Sequence, residues 1–223
     1  MRGRLVAVLL LSFAAVAGAQ AQIVVVEDWT KAPLGNKGIP PNWKGQNWGS
    51  PKYNFAVVAD ESQRALYMKS ENEGSLVSRD IKGKVNPKDT PIVEWSWKVT
   101  VLPRGGDSCK KATDDQAAQV YVVWPRFPEA VRSRILGYVW DTTEPVGTMC
   151  KSEKTGTVTY FVIRSGTADL GKWLTERRNI CEDFKKAYDD ECEPPSAVSI
   201  AVDSNDTSST AESFMGAIFF KRP

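Results

Sequence analysis

Apolar and polar residues alternate without a break along the segment Val93–Val101. In an extended strand, side chains two residues apart point to the same face, so this segment would bury one face and expose the other. The face that we expect to be buried carries Val93, Trp95, Trp97, Val99 and Val101. Shorter apolar runs, most of them bounded by Gly, Pro, Asn or Asp, predict further strands. These are Ile23–Glu27, Phe55–Ala59, Ala65–Lys69, Leu76–Asp80, Gln119–Trp124, Gly137–Trp140, Thr157–Arg164, Ala197–Asp203 and Ala217–Phe220.

One segment, Trp173–Tyr188, has a helical pattern instead, and Pro194-Pro195 would stop any continuation. Its apolar residues recur at helical intervals at Trp173, Ile180, Phe184 and Tyr188. About ten strands, one helix and no long linker predict a mainly β protein. We expect an antiparallel, jelly-roll-like β-sandwich with one α-helix packed against it. A single domain would span residues 22–223, with Thr30–Pro51 as a long ordered loop.

The N-terminus has the layout of a secretory signal peptide. Two arginines within Met1–Arg4 precede the apolar run Leu5–Ala17, and small residues follow it. The run is too short to span a bilayer, and cleavage would fall after Ala19 or Ala21. We therefore predict a signal peptide over residues 1–21 and a mature chain without a transmembrane anchor. That chain would be exported to the periplasm or the medium.

The chain contains no histidine, which excludes several classes of chemistry. A Ser-His-Asp or Cys-His nucleophile, a zinc site with histidine ligands and a histidine general base all need imidazole. Carboxylate chemistry, oxygen-ligand metals such as calcium, and binding without catalysis remain. The full chain has 29 basic and 27 acidic residues, so loss of Arg2 and Arg4 would leave the charges balanced. This balance argues against nucleic acid as a partner.

The four cysteines form an even set, and an exported chain can oxidise them. Three pairings are open. We favour Cys181–Cys192, which would tie the end of the helix to the following loop, and Cys109–Cys150, which would join two loops. A cysteine metal site is the alternative, but the chain has no Cys-x-x-Cys spacing to favour it.

The order of several short motifs along the mature chain resembles a known family. The motifs are Pro41-Asn42-Trp43, Glu94–Val99, Asp114-Asp115, Val120–Val123, Tyr138–Trp140, Val162–Gly166, Trp173, Glu176, Arg178-Asn179, Asp183-Phe184, Asp203–Thr207 and Gly216–Ile218. They are similar to those of the exported bacterial proteins grouped as domain of unknown function 3047. This resemblance implies an exported β-sandwich and supplies no activity, because the family has none assigned. The segments Cys109–Lys111 and Cys150–Lys154 depart from the pattern, which suggests that the disulfides are a local addition.

Aromatic residues form the first group of candidate binding residues. Trp43 and Trp48 lie in a polar, Gly-rich loop, where exposed rings could stack on sugar rings, although packing within the loop is an equal alternative. Tyr121 is one of several aromatics on predicted strands; the others are Trp95, Trp97, Trp124, Tyr138, Trp140 and Tyr160. For Trp95 and Trp97 we favour burial in the core, because they lie on the apolar face of their strand.

Acidic residues and arginines form the second group. The candidates for ligand binding are Arg164, Glu176, Arg178 and Asp183, and Asp115 and Asp203 join the carboxylates as candidates for catalysis. On the predicted helix, Glu176 and Asp183 are two turns apart on one face. Two such carboxylates could act as acid and base in glycoside cleavage if they converge. The competing interpretation, which we favour, is a network of ion pairs that fixes the helix to the sheet.

The segment Asp203–Thr207 is dense in oxygen side chains, which could hold calcium. Asp203, Asn205 and Asp206 would be the ligands. Asp and Asn also cap turns by bonding nearby backbone amides, and the segment lacks the EF-hand pattern, so a turn is the favoured interpretation.

Export, balanced charge, abundant tryptophan and the missing histidine together favour one function. We expect a non-catalytic, exported domain that binds a polysaccharide or another cell-envelope component, with no cofactor other than a candidate calcium ion. Two alternatives stay open: a glycan-cleaving enzyme with paired carboxylates, and a structural or assembly protein of the envelope.

Overall fold

The computed structural model describes residues 23–223, and the predicted signal peptide lies outside this range. The strands are β1 (Ile23–Glu27), β2 (Lys44–Gly45), β3 (Asn54–Asp60), β4 (Gln63–Glu71), β5 (Gly74–Asp80), β6 (Ile92–Val101), β7 (Ala118–Trp124), β8 (Arg134–Asp141), β9 (Met149–Lys151), β10 (Val158–Ser165), β11 (Leu174–Asn179), β12 (Ala197–Asp203) and β13 (Thr210–Lys221). The helices are α1 (Glu129–Arg132) and α2 (Ile180–Tyr188). In this part of the chain, neither helix is long and apolar enough to cross a membrane.

Two sheets pack face to face, which confirms the predicted β-sandwich. One has the strand order β11-β6-β13-β4-β3, and β1 pairs with the second half of β13. The other has the order β2-β5-β12-β7-β8-β10-β9. The core between them is formed by the inward side chains of both sheets, as the alternating pattern of a sandwich requires.

One pair of strands departs from the antiparallel arrangement that the sequence predicts. β10 runs parallel to β8, from Val158 beside Ile135 to Ser165 beside Asp141. A parallel pair needs a long connection, because the chain must return to the end at which the first strand began. The connection between Thr142 and Thr157 provides it and contributes β9, which pairs antiparallel with β10 on its other side.

The strand β6 confirms the alternating pattern read from the sequence. Trp95 and Trp97 are fully buried, and Trp95 stacks on Tyr138 of the opposite sheet with ring centroids 5.2 Å apart. Trp97 lies 5.9 Å from the ring of Trp140. Only Val101, at the end of the strand, departs from the predicted buried face, with 37% of its surface exposed.

The helix predicted over Trp173–Tyr188 was wrong in its first half. Residues 174–179 form β11, an edge strand that pairs antiparallel with β6. The backbone edge of β6 offers hydrogen-bonding partners to all six residues of this segment. This long-range pairing overrides the helical spacing of the side chains. The helix begins only where the Asn179 side chain accepts hydrogen bonds from the backbone N–H groups of Cys181 and Glu182.

The remaining helix, α2, packs on the sandwich as expected, with Ile180 and Phe184 fully buried. It ends at Asp189, which has a left-handed backbone conformation with φ of 50°. The single-turn helix α1, between β7 and β8, was not predicted, so the structure has two helices in its described part and not one.

Both favoured disulfides are confirmed. Cys109–Cys150 joins the loop before β7 to β9. Cys181–Cys192 joins the first turn of α2, and not the end of the helix as predicted, to the segment that follows the helix. Each closes a loop of the chain, which stabilises the fold by about 2–4 kcal/mol.

Candidate functional site

A shallow depression lies on the outer face of the seven-stranded sheet, at the end where β2, β5 and β12 lie side by side. We call it the outer trough. It has a volume of about 250 Å³ and is lined by Lys44, Ser78, Asp80, Lys82, Pro125, Ser196 and Ala197. The small side chains of Ser78 and Ala197 point away from the core because their neighbours Val77 and Val198 point into it. The trough therefore combines hydrogen-bond donors and acceptors with a base of small side chains, Ser78 and Ala197.

Two exposed aromatic side chains belong to the segments that form the outer trough. Trp48, four residues after Lys44, has 60% of its surface exposed, and Phe127, two residues after Pro125, has 86% exposed. In residues 23–223 these are the aromatic residues with the largest exposed fractions. The prediction that Trp48 is exposed is confirmed, whereas Phe127 was not singled out from the sequence.

The prediction that Trp43 is an exposed stacking residue was wrong. It is only 5% exposed and stacks on Trp29, with ring centroids 5.8 Å apart. Its Nε1 donates a hydrogen bond to Glu27 Oε2 at 3.0 Å, and Glu27 also pairs with Arg79. The loop folds back on the sandwich because this indole has both an apolar partner and a buried acceptor.

Tyr121 is also unsuited to contact a ligand through its ring. It lies beside Gly137 on the outer face, and Tyr160 lies on the other side of that glycine. A Cβ on Gly137 would be 2.9 Å from ring atoms of both tyrosines, so the rings occupy the space that a side chain would fill. Both rings are buried, and burial raises the pKa of each hydroxyl. Tyr121 therefore packs with Tyr160 on the outer face of the sheet, over Gly137.

A second depression lies at the opposite edge of the seven-stranded sheet, where β9 and β10 face β11 and α2. We call it the edge groove. Its volume is about 480 Å³, within the range of small-molecule sites. It is lined by Gly147, Thr148, Met149, Phe161, Val162, Ile163, Arg178 and Lys186. Apolar side chains thus form one wall, and two cations lie on the other.

Arg178 is held in place by Asp183 and Phe161. Its Nε donates to Asp183 Oδ2 at 2.8 Å, its Nη2 donates to the other oxygen, and its guanidinium lies 5.7 Å from the centre of the Phe161 ring. The hydrogen bonds to Asp183 raise the pKa of Arg178. Asp183 is 1% exposed and also accepts a hydrogen bond from the buried Tyr138 hydroxyl at 3.0 Å.

Arg164 and Glu176 form a similar ion pair, with Glu176 two residues before Arg178 on β11. Arg164 Nε donates to Glu176 Oε1 at 2.7 Å, and the buried indole of Trp97 donates to the same carboxylate at 3.2 Å. Glu176 and Arg178 are two residues apart on β11, so they share a face of the strand. The structure thus brings together four predicted ligand-binding residues, but both carboxylates are engaged by an arginine and a buried aromatic donor.

The two remaining catalytic candidates, Asp115 and Asp203, lie next to each other. Burial, and then the charge of Asp115, raise the pKa of Asp203 to about 8. Asp115 is fully buried and accepts hydrogen bonds from the backbone N–H groups of Asp206 and Thr207. Nearby Asp114, also buried, has its pKa raised to about 6 by desolvation. The four catalytic candidates therefore fall into two separate groups, and Asp115 holds a turn.

The predicted calcium ligands lie on the turn that Asp115 holds. Asp206 pairs with the ammonium of Lys154 and accepts a hydrogen bond from Asn205 Nδ2 at 3.0 Å. Asp203 Oδ1 accepts from the Asn205 backbone at 3.4 Å. These bonds match the capping interpretation, and calcium binding by Asp203, Asn205 and Asp206 stays a prediction. Elsewhere in residues 23–223, Asp107, Cys109 and Glu144 converge, but Cys109 is in a disulfide and is unsuited as a thiolate ligand.

The raised pKa of Asp203 predicts that the stability of the protein depends on pH. In the unfolded chain Asp203 has a pKa of about 3.9, so the folded chain binds its proton more tightly than the unfolded chain does. This contribution is fully present below about pH 4 and is lost as the pH rises through about 8. We expect the free energy of unfolding, measured in urea, to fall over this range, and Asp203→Asn to reduce the fall. An equal fall in wild type and Asp203→Asn would contradict this role.

The residues that sequence reasoning missed come from segments far apart in the chain. Lys186 is an exposed helix residue without a distinguishing pattern, and Met149 and Ile163 are part of short apolar runs. In the outer trough, Lys44, Ser78 and Asp80 are ordinary surface residues of their strands. No local signal marks these residues, because each site forms only when neighbouring strands pair.

By its architecture this protein is a β-sandwich domain of two sheets with open depressions on its surface and edge. The chain belongs to the family described as "Protein of unknown function (DUF3047)", whose model matches residues 41–219. This match confirms the resemblance in the sequence motifs. A search among curated proteins gives no match.

Several solved structures share features of the sandwich at low identity. A family 11 carbohydrate-binding module from Clostridium thermocellum, solved with a β-1,3-1,4-mixed-linked tetrasaccharide, is 8% identical, with a TM-score of 0.47 over 91% of this chain and 96% of that one. A xylan-binding module, CBM15, is 10% identical, with a TM-score of 0.42 over 91% and 97%. The xyloglucanase domain of NopAA from Sinorhizobium fredii is 12% identical, with a TM-score of 0.45 over 86% and 97%. At these TM-scores, none of the similarities carries an argument about this chain.

Proposed function

We propose that the protein is an exported, non-catalytic domain that binds a polysaccharide or another glycan of the cell envelope at the outer trough. The observation that carries this proposal is the position of the two most exposed aromatic rings, Trp48 and Phe127, on the segments that supply Lys44 and Pro125 to the trough. Aromatic rings bind the apolar C–H faces of sugars, and the polar residues of the trough can bond sugar hydroxyls.

The polar lining of the outer trough matches the needs of a glycan. Lys44 and Lys82 donate hydrogen bonds, Asp80 accepts them, and the hydroxyls of Ser78 and Ser196 do both. Sugar hydroxyls also donate and accept, so each can find a partner there.

The disulfides support the exported location within this proposal. Two bridges among four cysteines, with no free cysteine in residues 23–223, are typical of proteins in oxidising compartments. Loss of the signal segment also gives a chain of balanced charge, consistent with recognition by contact with hydroxyls and not by long-range attraction.

The engaged carboxylates favour binding over cleavage. A glycosidase needs one carboxyl as acid and another as base or nucleophile, about 5–10 Å apart across the sugar. Glu176 and Asp183 are each bonded to an arginine, and Asp115 and Asp203 are in direct contact and fixed to a turn. None of the four lines the outer trough. We therefore expect a retained polymer to release no reducing sugar on incubation with the protein.

The test measures retention of the mature protein on insoluble polysaccharides and peptidoglycan in a pelleting assay. We expect Trp48→Ala and Phe127→Ala each to weaken binding to the retained polymer about fivefold, because one aromatic contact contributes about 1 kcal/mol. Leu34→Ala, which removes an exposed apolar side chain from a loop outside the trough, is the matched control and should have no effect.

Two outcomes would contradict the proposal in different ways. If the folded wild-type protein is retained on no polymer, glycan binding is wrong and the envelope assembly alternative takes its place. If a polymer retains the protein but Trp48→Ala, Phe127→Ala and Leu34→Ala behave alike, the outer trough is not the site.

A further inference from the structure

The edge groove is separate from the outer trough and is built from different residues. β5, which contributes to the trough, and β10, which contributes to the groove, are four strand intervals apart in the seven-stranded sheet. With about 4.8 Å between neighbouring strands, this separation is roughly 19 Å. A sugar unit in the trough therefore does not reach the groove.

The electrostatics of the edge groove favour an anion with a single charge. Arg178 and Lys186 contribute two positive charges; Asp183, bonded to Arg178, neutralises one of them, and the charge of Glu182, one helical turn before Lys186, also acts on Arg178. Lys186 is exposed, and among residues 23–223 no carboxylate lies within ion-pair distance of it, whereas its neighbour Lys185 pairs with Asp189. This weak positive charge matches a singly charged carboxylate better than a doubly charged phosphate.

Arg178 is ready to bind without rearrangement. Asp183 fixes the guanidinium from one edge and the Phe161 ring lies against it, while 32% of the side chain stays exposed as part of the groove wall. A donor held in this way loses little conformational entropy when a ligand binds. The entropy cost therefore offsets less of the favourable interaction energy.

The other wall of the edge groove would contact an apolar part of the ligand. Met149, which has 47% of its surface exposed, lies opposite Phe161, and the partly buried Ile163 follows Phe161 on the same face of β10. This wall adds contact area that a free anion such as acetate does not use. A ligand with a carboxylate at one end and a C–H face beside it would match both walls.

We propose that the edge groove is a second binding site, which takes a carboxylate carried on a compact ring with an apolar face, the chemistry of a uronic acid. Arg178 and Lys186 bind the carboxylate, and Met149 and Ile163 contact the ring. The site does not depend on the proposed glycan binding at the outer trough, since the two share no lining residue.

The test is a titration of the isotope-labelled mature protein with glucuronate, followed through the backbone amide signals of Thr148 and Lys186 in NMR spectra. We expect saturable shifts with glucuronate, and affinities at least about tenfold lower for glucose, acetate and inorganic phosphate. Lys186→Ala should lower the affinity for glucuronate about tenfold, because a charge-assisted hydrogen bond is lost.

Lys185→Ala is the matched control, since it removes the same charge from the adjacent helix position but lies outside the groove. Equal effects of Lys185→Ala and Lys186→Ala, no saturable shift with glucuronate, or equal affinity for glucose would each overturn the proposal. Tighter binding of phosphate would overturn the choice of a carboxylate. The pelleting assay separates the two sites: Lys186→Ala should leave retention on a polymer unchanged, and loss of retention would overturn their independence.

Discussion

Trp43→Ala is expected to destabilise the protein by about 3–5 kcal/mol, although the sequence places this tryptophan in a polar loop. The substitution leaves a cavity beside Trp29, on which the indole stacks. It also removes one hydrogen-bond donor from the buried carboxylate of Glu27. Urea unfolding followed by tryptophan fluorescence or circular dichroism would measure the loss.

Trp48→Ala is the matched control for Trp43→Ala. Its side chain lies in the same loop but is 60% exposed, so its removal should change the free energy of unfolding by no more than about 0.5 kcal/mol. The milder variant Trp43→Phe keeps a ring against Trp29 and loses only the donor to Glu27, so it should fall between the two. Equal stability of Trp43→Ala and Trp48→Ala would contradict the buried position of Trp43.

Asp183→Ala is expected to cost about 3–5 kcal/mol, because it breaks a buried ion pair from one side. The Tyr138 hydroxyl, which is fully buried, would lose its acceptor, and the partly buried Arg178 would lose its counter-ion. Asp183→Asn keeps an acceptor for Tyr138 and should cost less. The measurement is again the free energy of unfolding in urea.

Asp189→Ala provides the comparison for Asp183→Ala. Asp189 lies at the end of the same helix, its side chain is 93% exposed, and it pairs with Lys185. An exposed pair of this kind contributes about 1 kcal/mol or less. If both alanine variants had the same small effect, the ion pair between Arg178 of β11 and Asp183 of α2 would not hold the helix to the sandwich.

These two predictions concern a pattern that recurs in the fold. In three places a carboxylate accepts a hydrogen bond from a buried aromatic N–H or O–H and also binds an arginine. The three sets are Glu27 with Trp43 and Arg79, Glu176 with Trp97 and Arg164, and Asp183 with Tyr138 and Arg178. Each satisfies a polar group of a core aromatic ring. Seven of these nine residues, all but Glu27 and Arg79, belong to the motifs that carry the family resemblance, and each of the seven thus has a structural role.

Much of the fold was predictable because it follows from local pattern. The strand Val93–Val101 was placed from alternation alone, and β12 has the predicted bounds Ala197–Asp203. The two disulfides were chosen from loop positions, and both form. For the strands, the deciding property is an apolar face contained in the segment itself, and for Cys181–Cys192 it is a connection of only 11 residues.

The candidate site was predictable only in part. Arg164, Glu176, Arg178 and Asp183 do come together, but their partners were not foreseen. Glu176 was expected on a helix and lies on an edge strand, where it meets Trp97. The outer trough was not foreseen at all, because its residues are unremarkable until β2, β5 and β12 lie side by side.

The sequence by itself therefore determined a β-sandwich with a helix against it, two disulfides and membership of a family, since periodicity, cysteine positions and motif order are local or additive properties. Only the tertiary structure decided that Leu174–Asn179 is a strand, that Trp43 is buried and that Arg178 faces a groove with Lys186. These outcomes depend on contacts between distant segments. A free strand edge, a buried carboxylate or a neighbouring ring then outweighs what the local pattern favours.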